Sequence, residues 1–346
     1  MRITALAGGV GGARFLRGLR TALDADPVLA QSEITVIANT GDDITLFGLR
    51  VCPDVDTLLY TLGGGISESQ GWGRDQDSYA VMTELSAYGV GPQWFGLGDK
   101  DLGTHIARSL WLGEGLRPSQ ITQRLAARWG LPEQRIRLLP MSDDPVETHV
   151  VVTRESGPEA IHFQQWWVGE RAETPASRFV AVGLDRAAPA PGVLDAIRTA
   201  DLVILPPSNP VVSIGIILGL SGVRDALRGT PAPVVGVSPI IAGRPVRGHA
   251  DTCLAVVGVE PSAWGVAGLY ADFLDGWLVD PTDGEATPRS PGKSGRLTAR
   301  TYDAPLLMSD LPAAARLARA ALDLGLDLRA ARGEAGAPHT GSEAGG

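Results

Sequence analysis

The segment from Gly8 to Gly12, here called the glycine loop, is the first part of the chain whose residue types suggest chemistry. It follows an apolar run and precedes a helical pattern. A helix N-terminus offers free N–H groups and the positive end of a dipole, and glycines let a phosphate approach the backbone. Arginine in the first helical turn adds a cation. The sequence therefore predicts a phosphate or nucleotide site at five residues: Gly8, Gly9, Gly11, Gly12 and Arg14.

The glycine loop does not match two familiar nucleotide-binding motifs. It lacks the Gly-Lys-Ser/Thr ending of a Walker A loop, and Arg14 stands where a dinucleotide fingerprint has its third glycine. An ATP-hydrolysing or nicotinamide-dependent enzyme is therefore poorly supported. A tight strand-to-helix turn that binds no ligand is the alternative interpretation.

Aspartates form the second candidate set. Four groups of them lie in or near predicted loops: Asp42 and Asp43, Asp54 and Asp56, Asp99 and Asp101, Asp143 and Asp144. Mg²⁺ prefers oxygen ligands and shares them with substrate phosphates, so carboxylates near a phosphate loop suggest this metal. Asp43 is the first choice of ligand because it follows a predicted strand, with Asp42 next and Asp56 third. Exposed carboxylates are the alternative, and Asp54 could cap a helix.

Other chemistries find little support. The five histidines and the two cysteines, Cys52 and Cys253, form no zinc-like spacing and no disulfide framework, and no Gly-x-Ser-x-Gly motif is present. The net charge of −9 disfavours nucleic acid or an anionic membrane as a bulk partner. No apolar window approaches the ~18 residues of a membrane span, and the first apolar run is too short for a signal peptide. We therefore expect a cytoplasmic protein.

Apolar runs predict the strands that must position these residues. Leu202–Leu205 and Val234–Val237 are wholly apolar, as in a strand buried on both faces. Because helical patterns alternate with the strands, we predict an α/β, Rossmann-like fold with a mainly parallel sheet, helices on both faces and a helical insertion. Ligands then bind at the carboxyl ends of the strands. Five polar loops follow the apolar runs: Gly8–Gly12, Asn39–Asp43, Pro140–Asp144, Pro206–Pro210 and Ser238–Ile241. Further strand signals lie at Thr148–Val152, Ile161–Gln164 and Phe179–Val182.

The patterns divide the chain into three parts. Residues 1–60 and 136–330 form the predicted nucleotide-binding core, in which 281–296 reads as a loop. Residues 61–135 carry several helical patterns and no convincing strand, which indicates a helical insertion or lid. Residues 331–346 are rich in small and polar types and predict a disordered tail.

At these motifs the sequence resembles the phospholactate transferase family of deazaflavin coenzyme F-420 biosynthesis, known as CofD in archaea and FbiA in actinobacteria. The motifs occur in the family's order along all but the C-terminal end of the chain, and the form of the glycine loop favours the actinobacterial branch. They are LAGGVGGARFL (6–16), ANTGDD (38–43), CPDVDTLLYTLGG (52–64), GWGRD (71–75), WFGLGDKDLGTH (94–105), LPMSDDPVETHV (139–150), PPSNPVVSIGIIL (206–218), VSPIIAG (237–243) and WGVAGLYADFLD (264–275).

The resemblance implies a transferase that uses a guanosine diphospho-linked three-carbon acid as donor and the deazaflavin Fo as acceptor. The terminal ribityl hydroxyl of Fo attacks the phosphorus next to the acid, and GMP leaves. Mg²⁺ and a homodimer are expected. The acid is lactate in the archaeal branch and enolpyruvate in the actinobacterial branch, so we expect the enolpyruvyl donor here.

The resemblance also implies roles for individual residues. Asp56 and Lys100 match deazaflavin contacts of the family, although lysine replaces the usual arginine and loses its bidentate fork. With Asp43, whose position is acidic in the family, they form the expected catalytic set. The nucleotide is expected at the glycine loop and at three further residues: Ser208, Asn209 and Ser238.

Two functional alternatives stay open. A sugar-nucleotide pyrophosphorylase also opens with Leu-Ala-Gly-Gly-x-Gly, but its Thr-Arg-Leu and later substrate-binding lysine are not found here. A non-enzymatic regulator could use the same fold to sense a nucleotide-linked metabolite. Within the transferase interpretation, Arg244 and the Ser238–Ile241 loop are candidates for binding the donor carboxylate. The apolar stretch Trp264–Trp277 suits either a dimer interface or the core.

Overall fold

The structure, a computed structural model, describes residues 1–283 and 299–335. The strands within those residues are β1 (Arg2–Ala7), β2 (Glu33–Ala38), β3 (Ile44–Leu46), β4 (Leu49–Val51), β5 (Ile136–Pro140), β6 (Glu147–Arg154), β7 (Gly157–His162), β8 (Ala176–Val182), β9 (Leu202–Leu205), β10 (Val234–Val237), β11 (Ile240–Ile241), β12 (Arg244–Pro245), β13 (Gly276–Val279) and β14 (Arg300–Asp303). The α-helices are α1 (Gly9–Asp24), α2 (Pro53–Leu62), α3 (Ala80–Ala87), α4 (Asp99–Gly113), α5 (Pro118–Arg128), α6 (Val193–Arg198), α7 (Ile214–Gly219), α8 (Val223–Gly229), α9 (Ala250–Val256), α10 (Ala263–Gly268) and α11 (Leu311–Ala335).

The main sheet has seven strands in the order β14-β13-β10-β9-β1-β2-β5. Every neighbouring pair is parallel. Strands β9 and β10 are buried along their whole length, as their unbroken apolar sequences predict. The predicted Rossmann-like α/β fold is therefore confirmed.

Helices cover both faces of the main sheet. Side chains alternate along β1, so that Ile3 and Ala5 enter the core on one face and Leu6 enters the core on the other. Helices α1, α2, α5 and α11 contribute to the first core, and α6 to α10 contribute to the second. Helices α1 and α11 approach closely at Gly18, where a Cβ would lie 2.4 Å from the carbonyl carbon of Ala314.

Strands β6, β7 and β8 do not join the main sheet. They form a separate antiparallel sheet in the order β7-β6-β8. Alternate residues of β6 are buried, and Val150 and Val152 pack with Trp166 in a small core of their own. The predicted strand Thr148–Val152 lies within β6 and Phe179–Val182 within β8, but the predicted Ile161–Gln164 shares only its first two residues with β7. The separate sheet was not predicted, because alternation identifies a one-sided strand without identifying its partner.

The helices differ from the sequence predictions at α9, α10 and α11. Helices α9 and α10 were missed, although Ser262 caps α10 through a hydrogen bond from the Gly265 amide at 3.0 Å. Residues 61–135, all of which the structure describes, contain α3, α4 and α5 and no named strand. Helix α11 continues to Ala335, past the start of the predicted tail. Residues 336–346 and most of the predicted 281–296 loop lie outside the described residues.

Two remaining expectations concern surfaces. No helix among the described residues is long and apolar enough to cross a membrane. The Trp264–Trp277 stretch belongs to the core: Tyr270, Phe273 and Trp277 are buried beneath the main sheet. It therefore gives no support to a dimer interface, and the homodimer stays a prediction.

Candidate active site

A cavity of about 510 Å³, here called the main cavity, opens at the carboxyl edge of the main sheet. The loops after β1, β2, β9 and β10 line it, together with the start of α2 and segments of residues 61–135. Leu306 and Met308, which precede α11, complete its wall. Nine predicted site residues face it: Gly8, Gly9, Gly11, Arg14, Asp42, Asp56, Ser208, Asn209 and Ser238.

The glycine loop is held tightly against its neighbours. The Ser208 hydroxyl accepts a hydrogen bond from the Gly8 amide at 3.1 Å and donates one to the Gly8 carbonyl at 2.7 Å. A Cβ on Gly11 would lie 2.4 Å from the Pro207 carbonyl oxygen, and one on Gly12 would lie 2.5 Å from Ser208 Oγ. These two glycines therefore allow the loops to pack. The first amides of α1 have no intrahelical partners, and the Gly9 amide instead forms a hydrogen bond to the Asp54 carboxylate.

The side chains of Asn209 and Ser238 form hydrogen bonds with nearby backbone groups. Asn209 Oδ1 accepts hydrogen bonds from the amides of Val211 and Val212 at 2.9 and 3.1 Å. Ser238 Oγ donates to the Ile240 carbonyl at 3.0 Å and is almost fully buried. The structure thus places both beside the main cavity as residues that fix its loops, and their contact with a nucleotide stays a prediction.

Asp42 and Asp54 form a buried carboxylate pair on the wall of the main cavity. The Asn39 amide nitrogen lies 3.4 Å from Asp42 Oδ1 and 2.9 Å from Asp54 Oδ2. Gln164 donates to Asp42 at 2.9 Å, and Ser213 donates to Asp54 at 3.3 Å. In the described part of the chain, neither carboxylate has an ion-pair partner.

Burial is the largest cause of the raised pKa values of Asp42 and Asp54. It raises the pKa of Asp42 well above its ordinary value, and the charges of Asp54 and Asp43 raise it further. Burial also raises the pKa of Asp54 to about 6, against the hydrogen bonds from Asn39 and Ser213. Two uncompensated carboxylates beside a phosphate-type loop are a site at which a cation would be stabilised.

Asp54 does not cap α2. The helix begins at Pro53, its N-cap residue is Cys52, and no side chain makes a cap hydrogen bond there. The Asp54 side chain instead reaches the glycine loop, where a Cβ on Gly8 would lie 2.2 Å from its Oδ2 atom. The capping interpretation was therefore wrong. Asp54, which the sequence analysis placed in the second candidate set without choosing it as a metal ligand, lines the main cavity.

Asp43 faces away from the main cavity and lines a second cavity of about 240 Å³ with the loop after β5. The Cys52 thiol donates to Asp43 Oδ2 at 2.9 Å, and Arg50 Nε lies 3.7 Å from the same oxygen. Burial raises the pKa of Asp43 to about 7, although Arg50 opposes the shift. Its Oδ1 atom is buried and has no hydrogen-bond partner among the described residues.

Asp56 lines the main cavity but is held by a buried arginine. Arg108 Nη1 donates to Asp56 Oδ2 at 3.0 Å, and Nη2 contacts Oδ1. His105 Nδ1 lies 3.6 Å from Oδ2. On the other side of the histidine ring, Asp101 accepts a hydrogen bond from the Tyr60 hydroxyl at 2.6 Å. Asp56 is therefore part of a buried network whose charge is already compensated.

Lys100 does not line the main cavity. It lies in the first turn of α4, and its ammonium group donates to the carbonyls of Asp75 and Gln76 at 3.0 and 2.6 Å. It therefore fixes the segment that carries Trp72, a residue that does line the cavity. Its role as a deazaflavin contact stays a prediction.

Several aromatic side chains line the main cavity. Trp72 lines the cavity, whereas Trp94 packs on Phe95 with ring centroids 5.7 Å apart. Sequence reasoning missed most of the aromatic residues here, although the run FQQWW (163–167) is visible in the sequence. The lining aromatic residues are Tyr60, Trp72, Phe95, Phe163 and Trp167. Such faces can stack on a flat ring.

The donor set fits Mg²⁺ in one particular mode. Within residues 1–283 and 299–335, no three His, Cys, Asp or Glu side chains cluster as a metal-binding group. Mg²⁺ often binds through one or two carboxylates and completes its shell with water and substrate phosphates. Asp42 and Asp54, beside the glycine loop, fit that mode. Asp43 and Asp56 already have arginine neighbours, so their assignment as metal ligands stays a prediction.

The sheet order and the cavity at the carboxyl edge of the sheet define a Rossmann-like α/β protein. A family model described as 2-phospho-L-lactate transferase CofD matches residues 3–303, so the chain belongs to that family of transferases. The resemblance found in the motifs is thereby confirmed.

Several curated relatives match nearly the whole chain. A protein named phosphoenolpyruvate transferase from Thermobifida fusca (strain YX) is 58% identical over 332 residues, covering 95% of this chain and 99% of the relative. One of the same name from Mycolicibacterium smegmatis is 48% identical over 334 residues, covering 94% and 98%. The crystal structure of protein BH3568 from Bacillus halodurans has a TM-score of 0.58 at 18% identity, covering 93% and 99%, which supports the fold alone.

Proposed function

We propose that this protein transfers the phosphoenolpyruvyl group from a guanosine diphospho-linked donor to the terminal ribityl hydroxyl of the deazaflavin Fo, in coenzyme F-420 biosynthesis. The hydroxyl oxygen forms a bond to the phosphorus that carries the three-carbon acid. The bond from that phosphorus to the oxygen of GMP breaks, GMP leaves, and the hydroxyl proton is released. The product is a phosphodiester. The enolpyruvyl form rests on the names of the curated relatives.

One observation carries the proposal: the glycine-rich start of α1, a buried carboxylate pair and several aromatic side chains line the same cavity. Phosphoryl transfer needs positioning and charge neutralisation more than covalent help from the protein. The α1 amides and Arg14 suit a diphosphate, and Asp42 and Asp54 suit the Mg²⁺ that accompanies it. The aromatic side chains suit a deazaflavin ring.

The chain's own residues have distinct tasks in this scheme. The α1 amides and Arg14 bind and orient the diphosphate. Asp42 and Asp54 would hold Mg²⁺, which supplies charge neutralisation at the phosphates when bound. Trp72 and Trp167 cover the cavity and exclude water from the acceptor. The Arg108–Asp56 pair keeps the start of α2 in place behind the glycine loop.

The direct test is incubation of the protein with Fo, the guanosine diphospho-linked enolpyruvate and Mg²⁺. We expect a product whose mass equals Fo plus the phosphoenolpyruvyl group, together with one equivalent of GMP. Reactions without Fo or with EDTA are the controls. Absence of both products would refute the transferase. Release of pyrophosphate instead would favour the sugar-nucleotide pyrophosphorylase alternative, and tight binding without turnover would favour the regulator.

A further inference from the structure

Arg247, in the loop between β12 and α9, lines the main cavity. Its Nη2 atom donates to the Gln70 carbonyl at 2.6 Å, which joins its loop to the 61–135 segment. Among the described residues that line the cavity, the arginines and lysines are Arg14 and Arg247. Arg244, the candidate from sequence, is exposed and does not line it.

The distances around Gly71 show that the Arg247 guanidinium lies beside the glycine loop. A Cβ on Gly71 would lie 2.3 Å from Arg247 Nη1 and 3.2 Å from Cγ1 of Val10, a residue of the glycine loop. Gly71 also has a φ of +78°, which side chains other than glycine's rarely adopt. A second arginine thus reaches the first turn of α1 from a loop more than 200 residues later in the sequence.

Most of the hydrogen-bonding capacity of Arg247 is unused by the described part of the chain. A guanidinium has five N–H donors, and one carbonyl accepts from this one. No carboxylate of a described residue lies within ion-pair distance of it. A planar cation with free donors that faces a cavity is suited to a carboxylate or a phosphate, which it can bind through two parallel hydrogen bonds.

We propose, on the basis of the function proposed above, that Arg247 binds the carboxylate of the three-carbon acid in the donor. In that donor the carboxylate is attached to the carbon that bears the phosphate ester oxygen, so it lies a few bonds from the phosphorus. The α1 amides and Arg14 bind the diphosphate, and Arg247 reaches the same end of α1 from the loop between β12 and α9. GDP and GMP lack this carboxylate, so Arg247 is the residue that distinguishes the donor from the product.

Equilibrium binding without Fo tests this assignment, because it requires no turnover. Dissociation constants for GDP and for the guanosine diphospho-linked enolpyruvate are measured by calorimetry on the wild type, R247Q and R247K. We expect R247Q to weaken donor binding about 10- to 100-fold, as for loss of hydrogen bonds between charged groups. GDP binding should change less than about 3-fold, since GDP has no carboxylate. R247K keeps the charge without the fork and should fall between.

The matched control is R186Q, because Arg186 is 82% exposed and lines neither cavity. It should leave both constants unchanged. Equal losses for GDP and donor in R247Q would mean that Arg247 binds the diphosphate, and no loss in either would mean that it only joins two loops. Each result overturns the proposal, as does a wild type that binds the donor no more tightly than GDP. Failure of the proposed function is seen separately, as the absence of product mass in the complete reaction.

Discussion

Four aspartates near the glycine loop separate into two pairs with different surroundings. Asp42 and Asp54 share one asparagine amide and face the main cavity without a counter-charge from the described residues. Asp43 and Asp56 are equally buried, but Arg50 and Arg108 lie against them. Removing a carboxylate from water is costly unless a cation compensates it. We infer that the fold compensates the charge of Asp56 fully and that of Asp43 only in part, since burial still raises the pKa of Asp43 to about 7. No cation among the described residues compensates Asp42 or Asp54, so a bound cation would be needed to stabilise their charged forms.

The largest expected effect is on stability, at the arginine of the compensated pair. Arg108→Met should lower the free energy of unfolding by about 3–5 kcal/mol, because it leaves Asp56 buried without its partner. Urea denaturation measures the change, and Arg186→Met is the control. A loss below about 1 kcal/mol would show that Asp56 does not depend on Arg108 and would remove the contrast between the pairs.

The next effect is on catalysis, at the uncompensated pair. Asp54→Asn should lower kcat/KM about 100-fold or more and raise the Mg²⁺ concentration needed for half-maximal rate, since changes even one shell beyond a metal's ligands cost 10- to 100-fold. Asp43→Asn should lower kcat/KM less than about 10-fold with an unchanged Mg²⁺ titration. If the two variants exchange these behaviours, Asp43 is the ligand, as the sequence first suggested.

The pH dependence of stability sharpens the same comparison. The pKa of Asp54 rises from an ordinary value of 3.8 to about 6 in the folded state, so the folded protein binds this proton more tightly than the unfolded chain. Stability from this group is therefore greatest below pH 4 and falls as the pH rises to about 6, by about 2 kcal/mol. In Mg²⁺-free buffer, Asp54→Asn should reduce the fall in unfolding free energy between pH 4 and 6 by about 2 kcal/mol relative to the wild type. If the unfolding free energy of the variant and that of the wild type vary with pH in parallel, the pKa of Asp54 is not raised in the folded state.

The smallest expected effect concerns the support of the uncompensated pair. Gln164→Ala removes a hydrogen bond to Asp42 and should raise the Mg²⁺ requirement about 10-fold, because outer contacts orient metal ligands. Gln93→Ala, at an exposed glutamine that binds only a backbone carbonyl, should change nothing. Equal effects of the two substitutions would show that Asp42 needs no such support. Steady-state rates across a Mg²⁺ series measure both.

The sequence predicts the strands and the glycine loop well because both depend on local patterns. β9 and β10 were predicted with their observed limits, since an apolar run between turn residues determines where a buried strand starts and stops. The orientation of Asp42 relative to Asp43 does not follow from local pattern. It depends on Asn39, Arg50 and the helix that carries Arg108, and these come together only when the insertion packs on the sheet.

The same limit explains the residues that were missed. Arg247 is one arginine among many in a loop, and nothing within its own segment indicates that Gly71 leaves room for it. Asp54 looked like a helix cap because the helix was predicted to begin near Thr57, and aspartate is favoured at the position that precedes a helix. The helix begins at Pro53 instead, so Asp54 lies inside its first turn. Lys100 was prominent because lysine is rare in this chain, yet its observed partners are backbone carbonyls.

The contact between α1 and α11 has a consequence for how the site comes into being during synthesis. The glycine loop and α1 leave the ribosome almost 300 residues before Leu306, Met308 and α11. One face of α1 therefore stays uncovered until α11 has been made, and the cavity lacks part of its wall for the same time. We expect a nascent chain ending before residue 300 to bind GDP poorly, so ligand binding can begin only after α11 has emerged.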